Sequence, residues 1–590
     1  MNARDLKQLV RALGPVALSA LRRGQLVRPA CTLTPPDPDI LAEYEVRVPI
    51  SDGFDVTVNI FRSKTAAARD EPVPVVMCAH PYDNRLLPAL GKTPLGGPPQ
   101  QYRLLPQDGS PTFSTQTSWE SPDPNFWVPA GYAVVNMNLP GYGSSGGPPS
   151  VFSEQQGKAY YEAIEWVAAQ PWCDGNVGLN GVSFLAISQY HVAFCKAYGG
   201  PPPSLRAICP WEGVADSYQD LFRPGGVWEA GFPVFWWYTE VVPAMNAEIE
   251  QFIAQEGSIT PQWRQQHPTR DEWVEAKVPA LEQIEVPTLL CASFSDHGVH
   301  TPGGFKAFTK IGATDKWLYT HRWLKWDSYY SREVQELTRR FFDCFVKDQR
   351  DNGFLEQTPR VRLEIRSSRD EVVQVRDADA WPLPQTELQR WYLDAQAQSL
   401  GTEPPARAQE AKYAAGRGQA VFRYRFEHDM TIVGPMALHV WVEARPGSLR
   451  DALRPPPDDV LLAVAIDKRD RQGESVRFFG TVGSKHDMVT RGYAAASMRE
   501  QTAASTEWLV ELSMREHQPL KPGQVVKLAV EIYPHATHFA AGETLELLVA
   551  GHELIPSAPL RKDLSANRGI HVLHTGGERA SYLVVPVLPD

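Results

Sequence analysis

Asn180-Gly181-Val182-Ser183-Phe184-Leu185-Ala186 is the stretch that decides the fold. A strand-like run, 177–180, leads into it, and a helix-like run, 184–198, leads out. A serine on a tight strand-to-helix turn is the setting of a nucleophile elbow. Such a turn needs small neighbours. Gly181 supplies one, but two residues after the serine, where a second glycine is usual, stands Leu185, with Ala186 following. The competing reading makes Ser183 the N-cap of an ordinary crossover helix.

Outward from this segment, strand and helix signals alternate. Runs 56–61, 73–80 and 132–138 read as strands, and 154–169 as a helix. Tyr160, Ala163, Ile164, Val167 and Ala168 make its apolar face, and Ser153 with Gln156 makes a capping-box start. Near-continuous apolar strands predict a mostly parallel sheet covered on both faces. The texture changes over 211–285, which is rich in Trp and Phe and has helix-like stretches such as 244–255. Alternation then resumes: strand 287–293, helix 304–311, strand 316–320, helix 332–347. Beyond about 361 short strands separated by Gly- and Pro-rich turns predict an all-β sandwich. The expected division is an N-terminal arm, 1–40; a split α/β domain, 41–210 and 286–365; an inserted helical cap, 211–285; and a β-sandwich, 366–590.

The chain has 590 residues, 43% hydrophobic and 22% charged, with a net charge of -11. That balance excludes wholesale disorder and gives no general attraction to nucleic acid or anionic lipid. No apolar run is long enough to span a membrane. The run 12–21 follows Arg4, Lys7 and Arg11 as in a signal peptide, but Asp5 interrupts the basic region and Arg22 and Arg23 stand where cleavage needs small residues. An amphipathic helix lying on the protein is expected instead. Seven scattered cysteines without a Cys-x-x-Cys pair predict free thiols and a cytoplasmic, reducing setting.

A serine hydroxyl needs a base, and on this kind of sheet the partners follow in the order Ser, acid, His. Strand 287–294 runs into Ser295-Asp296-His297-Gly298, and strand 316–320 into His321. The expected triad is therefore Ser183 (nucleophile), His321 (base, then acid) and Asp296 (orienting carboxylate). His297 and His300 follow Asp296 too closely to come from another strand end. They are expected to line the pocket or cap the helix near Thr301, and His191 to be a packed or surface histidine. No pattern of metal ligands supports a metal or other cofactor. The oxyanion needs preorganised donors: the Phe184 N–H is one. Tyr82, in the loop after strand 73–80, is a candidate by position, with a surface turn tyrosine as the alternative.

The ordered set Pro81-Tyr82-Asp83, Gly141-Tyr142-Gly143-Ser144-Ser145-Gly146, Gly181-Val182-Ser183-Phe184-Leu185-Ala186, Pro210-Trp211-Glu212-Gly213, Ser295-Asp296-His297-Gly298 and Phe539-Ala540-Ala541-Gly542 resembles the CocE/NonD hydrolases. That group includes cocaine esterase, α-amino acid ester hydrolases and X-Pro dipeptidyl-peptidases. The resemblance implies an α/β-hydrolase domain, a helical cap and a C-terminal jelly-roll-like β domain. It also implies the triad Ser183, Asp296 and His321, with Tyr82 in the oxyanion hole. The sequence departs from the family where Asn138-Leu139-Pro140 replaces a frequent Asp-x-Arg, and where Phe184 replaces a frequent tyrosine.

The cap aromatics Trp211, Phe232, Phe235 and Trp236, together with His297, are candidate pocket residues for a small-molecule ester or amide; simple packing is the alternative for the aromatics. Glu229 and Glu240 are candidates for holding a substrate ammonium, or else solvated charges. The expected activity is hydrolysis of carboxylic esters through an acyl-enzyme, with a rate that falls as pH drops through roughly 6–7. An amidase or X-Pro-type peptidase is the second reading, and a non-catalytic binding protein on the same scaffold the third.

Overall fold

The computed structural model describes residues 3–26, 28–88, 101–105, 109–246, 261–447, 455–481, 484–555 and 559–589. Most of the expected stretch 244–255 lies outside these residues. The first half is built on one ten-stranded sheet. Its strands are β1 (Ile40–Ile50), β2 (Phe54–Ser63), β3 (Val73–His80), β4 (Ala133–Asn138) and β5 (Cys173–Val182). They continue with β6 (Leu205–Trp211), β7 (Thr288–Ser293), β8 (Lys316–His321), β9 (Val361–Arg366) and β10 (Val372–Ala378). The spatial order is β1-β2-β4-β3-β5-β6-β7-β8-β9-β10, parallel from β4 to β9 and antiparallel at both ends.

The apolar strand runs are buried on both faces, as period-2 alternation dictates. Val76, Val134, Ala207, Leu289 and Trp317 share one cluster with Phe341 and Phe342 of the helix Arg332–Phe345. Val75, Val135, Ile208, Leu290 and Leu318 belong to another, with Ala163 and Ile164 of α2 (Glu154–Ala168). Here α1 denotes the N-terminal helix Ala3–Arg22, which buries Val16 and Ala20 and packs on the short helix Phe232–Trp236. The Ser153 hydroxyl caps α2 through the Gln156 N–H, at 3.3 Å. Gly157 lets α2 close on α3 (Phe184–Ala193): a β-carbon there would lie 2.6 Å from the His191 carbonyl. The helix after the elbow ends at Ala193, short of the expected 198, because Phe194 turns to extended backbone (φ -137°, ψ 93°).

Between β6 and β7 the chain makes short helical turns, among them Ser217–Phe222, Phe232–Trp236 and Glu272–Glu275. Beyond β10 the described residues form antiparallel strands. Met430–Arg445 pairs with Val526–Phe539 and Tyr582–Leu588, while Leu461–Arg469 pairs with Thr490–Ala495 and Thr544–Ala550. Leu438, Val440, Val464, Ile466, Leu547 and Val549 fill the core between them.

The β-rich region is fastened to the first half by ion pairs. Lys306, on α4 (Thr301–Lys310), lies 3.1 Å from Asp220 and 2.9 Å from Glu531. Glu229 lies 2.5 Å from Lys562, with both side chains at most 2% exposed, and its other oxygen accepts the Gly231, Phe232 and Arg561 N–H groups. Glu229 is thus committed to an inter-region clamp rather than to solvent or substrate. Removing one partner of a buried pair strands the other charge. Lys562→Met is expected to cost about 3–5 kcal/mol in chemical denaturation, and pairing it with Glu229→Gln is expected to restore most of the loss. A loss below about 1 kcal/mol would show that the pair is dispensable.

Candidate active site

The elbow is strained as a nucleophile elbow must be. Ser183 has φ 60° and ψ -114°, a backbone state costly for any residue with a β-carbon. Gly181 sits where a β-carbon would come within 2.5 Å of the Leu185 side chain. The single glycine therefore makes room for the leucine that replaces the usual second one. The Ser183 N–H donates to the Trp211 carbonyl at 3.0 Å, locking the turn to β6. Although Ser183 precedes α3, its side chain makes no capping bond. Its Oγ instead lies 3.1 Å from His300 Nε2.

That contact differs from the expected one. His321 is the final paired residue of β8, level with Ser293 of β7, and is only 1% exposed. Its Nε2 lies 2.8 Å from Glu212 Oε1, close but not aligned as a hydrogen bond, and its ring stacks on Trp211 at 5.8 Å and 15°. Held inside the strand layer, it is occupied by Glu212. His300 reaches the hydroxyl because the chain after β7 curls around one carbonyl: the N–H groups of Val299, His300 and Thr301 all donate to the Asp296 C=O at 3.0–3.2 Å. This turn throws the residue that caps α4 back across the sheet edge. Closeness in sequence to Asp296 is thus no obstacle.

His300 is 3% exposed. Burial, then the nearby Lys325 charge, hold its pKa well below 6.5, opposed by the Gly213 backbone. The imidazole is therefore neutral and able to accept a proton. Asp296 is buried too. Burial pushes its carboxyl up to about 7 against the pull of Lys325, whose Nζ lies 4.0 Å away.

Tyr82 is buried in the site, not on the surface. Asn84 staples its loop: the Asn84 N–H donates to Asn138 Oδ1 at 2.8 Å, and Asn84 Nδ2 to the Asn136 carbonyl at 2.7 Å. Asn138, one of the departures from the family pattern, is thus part of this support. The Tyr82 ring packs edge-on against Phe184 at 6.3 Å, and Trp236 Nε1 donates to its hydroxyl at 3.1 Å. Burial, with Glu120 and Glu240 nearby, raises the phenol well above 10. The group stays protonated, and the bond from Trp236 uses a lone pair, so the hydroxyl hydrogen remains a donor.

The expected pocket residues divide. Trp236 stacks on Phe184 at 5.9 Å and 23°, over the elbow. Phe232 lines a cavity of about 30 Å³ with Glu212, Asp296, Lys325 and Trp326. Phe235 is buried cap core, and Trp211 is buried behind the site against His321 and Tyr319. His297 is fully buried near the charges of Arg366 and Arg491, and the next residue, Gly298, donates its N–H to Thr481 Oγ1 at 2.5 Å. His191 is packed, 8% exposed. A wider cleft of about 330 Å³ lies elsewhere, lined by Arg270, Lys306, Trp381, Trp508 and Glu531 among others. It borders neither Ser183 nor His300.

Three charged residues escaped the sequence reading. Glu120 accepts a hydrogen bond from Trp326 Nε1 at 2.8 Å and lies 3.6 Å from Lys325. Lys325 starts a short helix just after β8. Glu212, quoted only within a motif, receives the Ser293 hydroxyl at 3.1 Å besides facing His321. No local pattern joins them: Glu212 and Lys325 follow the ends of β6 and β8, and Glu120 comes from the connection between β3 and β4. Glu212, Cys291 and His321 also offer ligand atoms within 4.8 Å of one another. Glu212 and His321 already face each other at 2.8 Å, and burial raises the Cys291 thiol well above 9.

Comparison with known proteins agrees with this architecture. Residues 52–324 match the X-Pro dipeptidyl-peptidase (S15 family) model, and 352–584 its C-terminal non-catalytic domain. Cocaine esterase from Rhodococcus sp. is 26% identical over 400 residues, 59% of this chain and 61% of the esterase, so the match spans under two thirds of that relative. An aminopeptidase from a marine sediment Thaumarchaeota archaeon shares the fold, with a TM-score of 0.65 at 15% identity over 95% of this chain and 98% of that one. The crystal structure of a CocE/NonD family hydrolase from Staphylococcus aureus is 32% identical, covers 93% of this chain and 94% of its own, and superposes with a TM-score of 0.83. An α/β-hydrolase-like half carrying a strained, histidine-bonded serine, followed by a β-rich half, places this chain in the CocE/NonD family of hydrolases.

Proposed function

We propose that this protein hydrolyses carboxylic esters through an acyl-enzyme, with Ser183 as nucleophile and His300 as its base. The observation that carries the reading is the 3.1 Å contact between Ser183 Oγ and His300 Nε2 beside a protonated Tyr82. Ser183 Oγ attacks the ester carbonyl while His300 Nε2 takes its proton. The Phe184 N–H and the Tyr82 hydroxyl hold the developing oxyanion. His300 returns the proton to the departing alcohol, and water repeats the cycle to release the acid. The expected triad of Ser183, Asp296 and His321 is its competitor, with Asp296 orienting and His321 as base. The Glu212 contact of His321 weighs against that assignment.

Ester cleavage is preferred to amide or X-Pro peptide cleavage because Glu229, one of two candidates for an ammonium, is bound to Lys562. We read 211–285 as a cap, supported by Trp236 over Phe184. The β-rich region is read as a jelly-roll-like accessory module. The seven free cysteines of the chain, all in its first half, support a cytoplasmic setting. Among the described residues no helix is long and apolar enough to cross a membrane.

A pH–rate profile on simple p-nitrophenyl esters, amino esters and amides tests this reading. Burial and Lys325 keep His300 neutral below its ordinary pKa, so kcat/KM for esters is expected to stay level from pH 8 to about 6.5 and to fall only below it. This moves the acid limb below the range read from sequence. A limb centred at 6.5–7, or a preference for amides, overturns the assignment it bears on.

A further inference from the structure

The acidic wall beside the Ser183–His300 pair holds one buried cation, and nothing in the acyl-transfer steps uses it. Lys325 Nζ lies 3.6 Å from Glu120 Oε1 and 4.0 Å from Asp296 Oδ2, and 5.1 Å above the Trp326 ring. Its side chain is 14% exposed. Glu120 and Asp296 come from segments 176 residues apart (296 − 120) and are themselves buried at 2% and 7%. We propose that Lys325 is a positioning residue: a fixed counter-ion that pins Glu120 and Asp296 beside the Ser183–His300 pair. The proposal rests on the assignment of His300 as base.

The charges facing this cation are Glu120, Asp296, Glu212 and Glu240. His300 is flanked by Ser183, the Gly213 backbone and Lys325. The arrangement has a definite sign. A positive charge opposes protonation of the imidazole and favours ionisation of the carboxyls. Burial works with Lys325 on His300 but against it on Asp296. Removing the ammonium leaves the carboxyls without their counter-ion, Glu120 keeping only the Trp326 N–H, and it lets His300 protonate sooner. The change at His300 pushes the acid limb of catalysis upward. Removing Glu120 instead leaves Lys325 less neutralised, and the limb moves down or stays.

The test is the pH dependence of kcat/KM and of fluorophosphonate labelling for the full-length chain and three variants. Lys325→Met is expected to raise the acid limb by about one pH unit, a loss of roughly tenfold at a pH below the limb. Lys325→Arg is expected to keep the limb in place, and Glu120→Gln to leave it unmoved or lower it. An unmoved limb in Lys325→Met, or an upward shift in Glu120→Gln, overturns the proposal. Should Lys325→Met not fold, the sign of the Glu120→Gln shift still decides. Persistent hydrolysis in His300→Ala would instead overturn the underlying assignment, whatever Lys325 does.

Discussion

Replacing Ser183 by alanine should abolish ester hydrolysis, with a drop on the order of a million-fold, and should remove all fluorophosphonate labelling. The size follows from the geometry. The hydroxyl is the group at the elbow aligned to a neutral, buried imidazole, and the strained backbone presents it at the sheet edge. Alanine keeps the β-carbon and the Phe184 N–H, so the fold and one oxyanion donor persist while the covalent step disappears. Near-wild-type thermal unfolding with lost labelling is the expected pair of results. Labelling that survives the substitution would place the nucleophile elsewhere and remove the basis for the acyl-enzyme.

The two histidines give the second large effect, because the structure assigns them opposite phenotypes. His300→Ala removes the acceptor of the serine proton and should lower kcat/KM by about 100- to 10,000-fold. It buries no new charge, so stability should change little. His321→Ala removes the ring that faces buried Glu212 Oε1 and leaves that side chain with the Ser293 hydroxyl. Its cost should fall on stability, about 1–3 kcal/mol, with the kcat/KM of the folded enzyme kept within tenfold. Steady-state kinetics together with denaturation of the same preparations separates the cases. The reverse pattern, His321→Ala inactive and His300→Ala active, would restore the Ser183–His321–Asp296 triad.

What the sequence disclosed, and what it withheld, follows from the range of each interaction. The sheet strands, α2 and its Ser153 cap are written in period and spacing within a dozen residues. Ser183 is legible because an elbow is a local turn. Tyr82 is legible as a position only. Its role comes from Asn84 bonds to Asn136 and Asn138 and from Trp236, which lies 154 residues away. The choice between His300 and His321 turns on side-chain direction. One signal was present: Thr301-Pro302 starts a helix, which makes His300 its cap at the ligand-facing edge of the sheet. His321, the last paired residue of a strand, had the weaker claim to reach over that edge. Lys325 and Glu212 follow strand ends and Glu120 comes from the long connection between β3 and β4, and no sequence pattern joins them.

The clamp on α4 bears on how the protein can be divided. The helix that begins beside His300 carries Lys306, gripped by Asp220 from the segment between β6 and β7 and by Glu531 from the β-rich half. A base is useful only while it stays within hydrogen-bonding reach of its serine. The half that matches a non-catalytic domain thus holds the far end of the helix on which the proposed base sits. The gap between the two family segments, from 324 to 352, is no seam in mechanics. Loss of Glu531 is felt at the imidazole, from outside the half that carries Ser183.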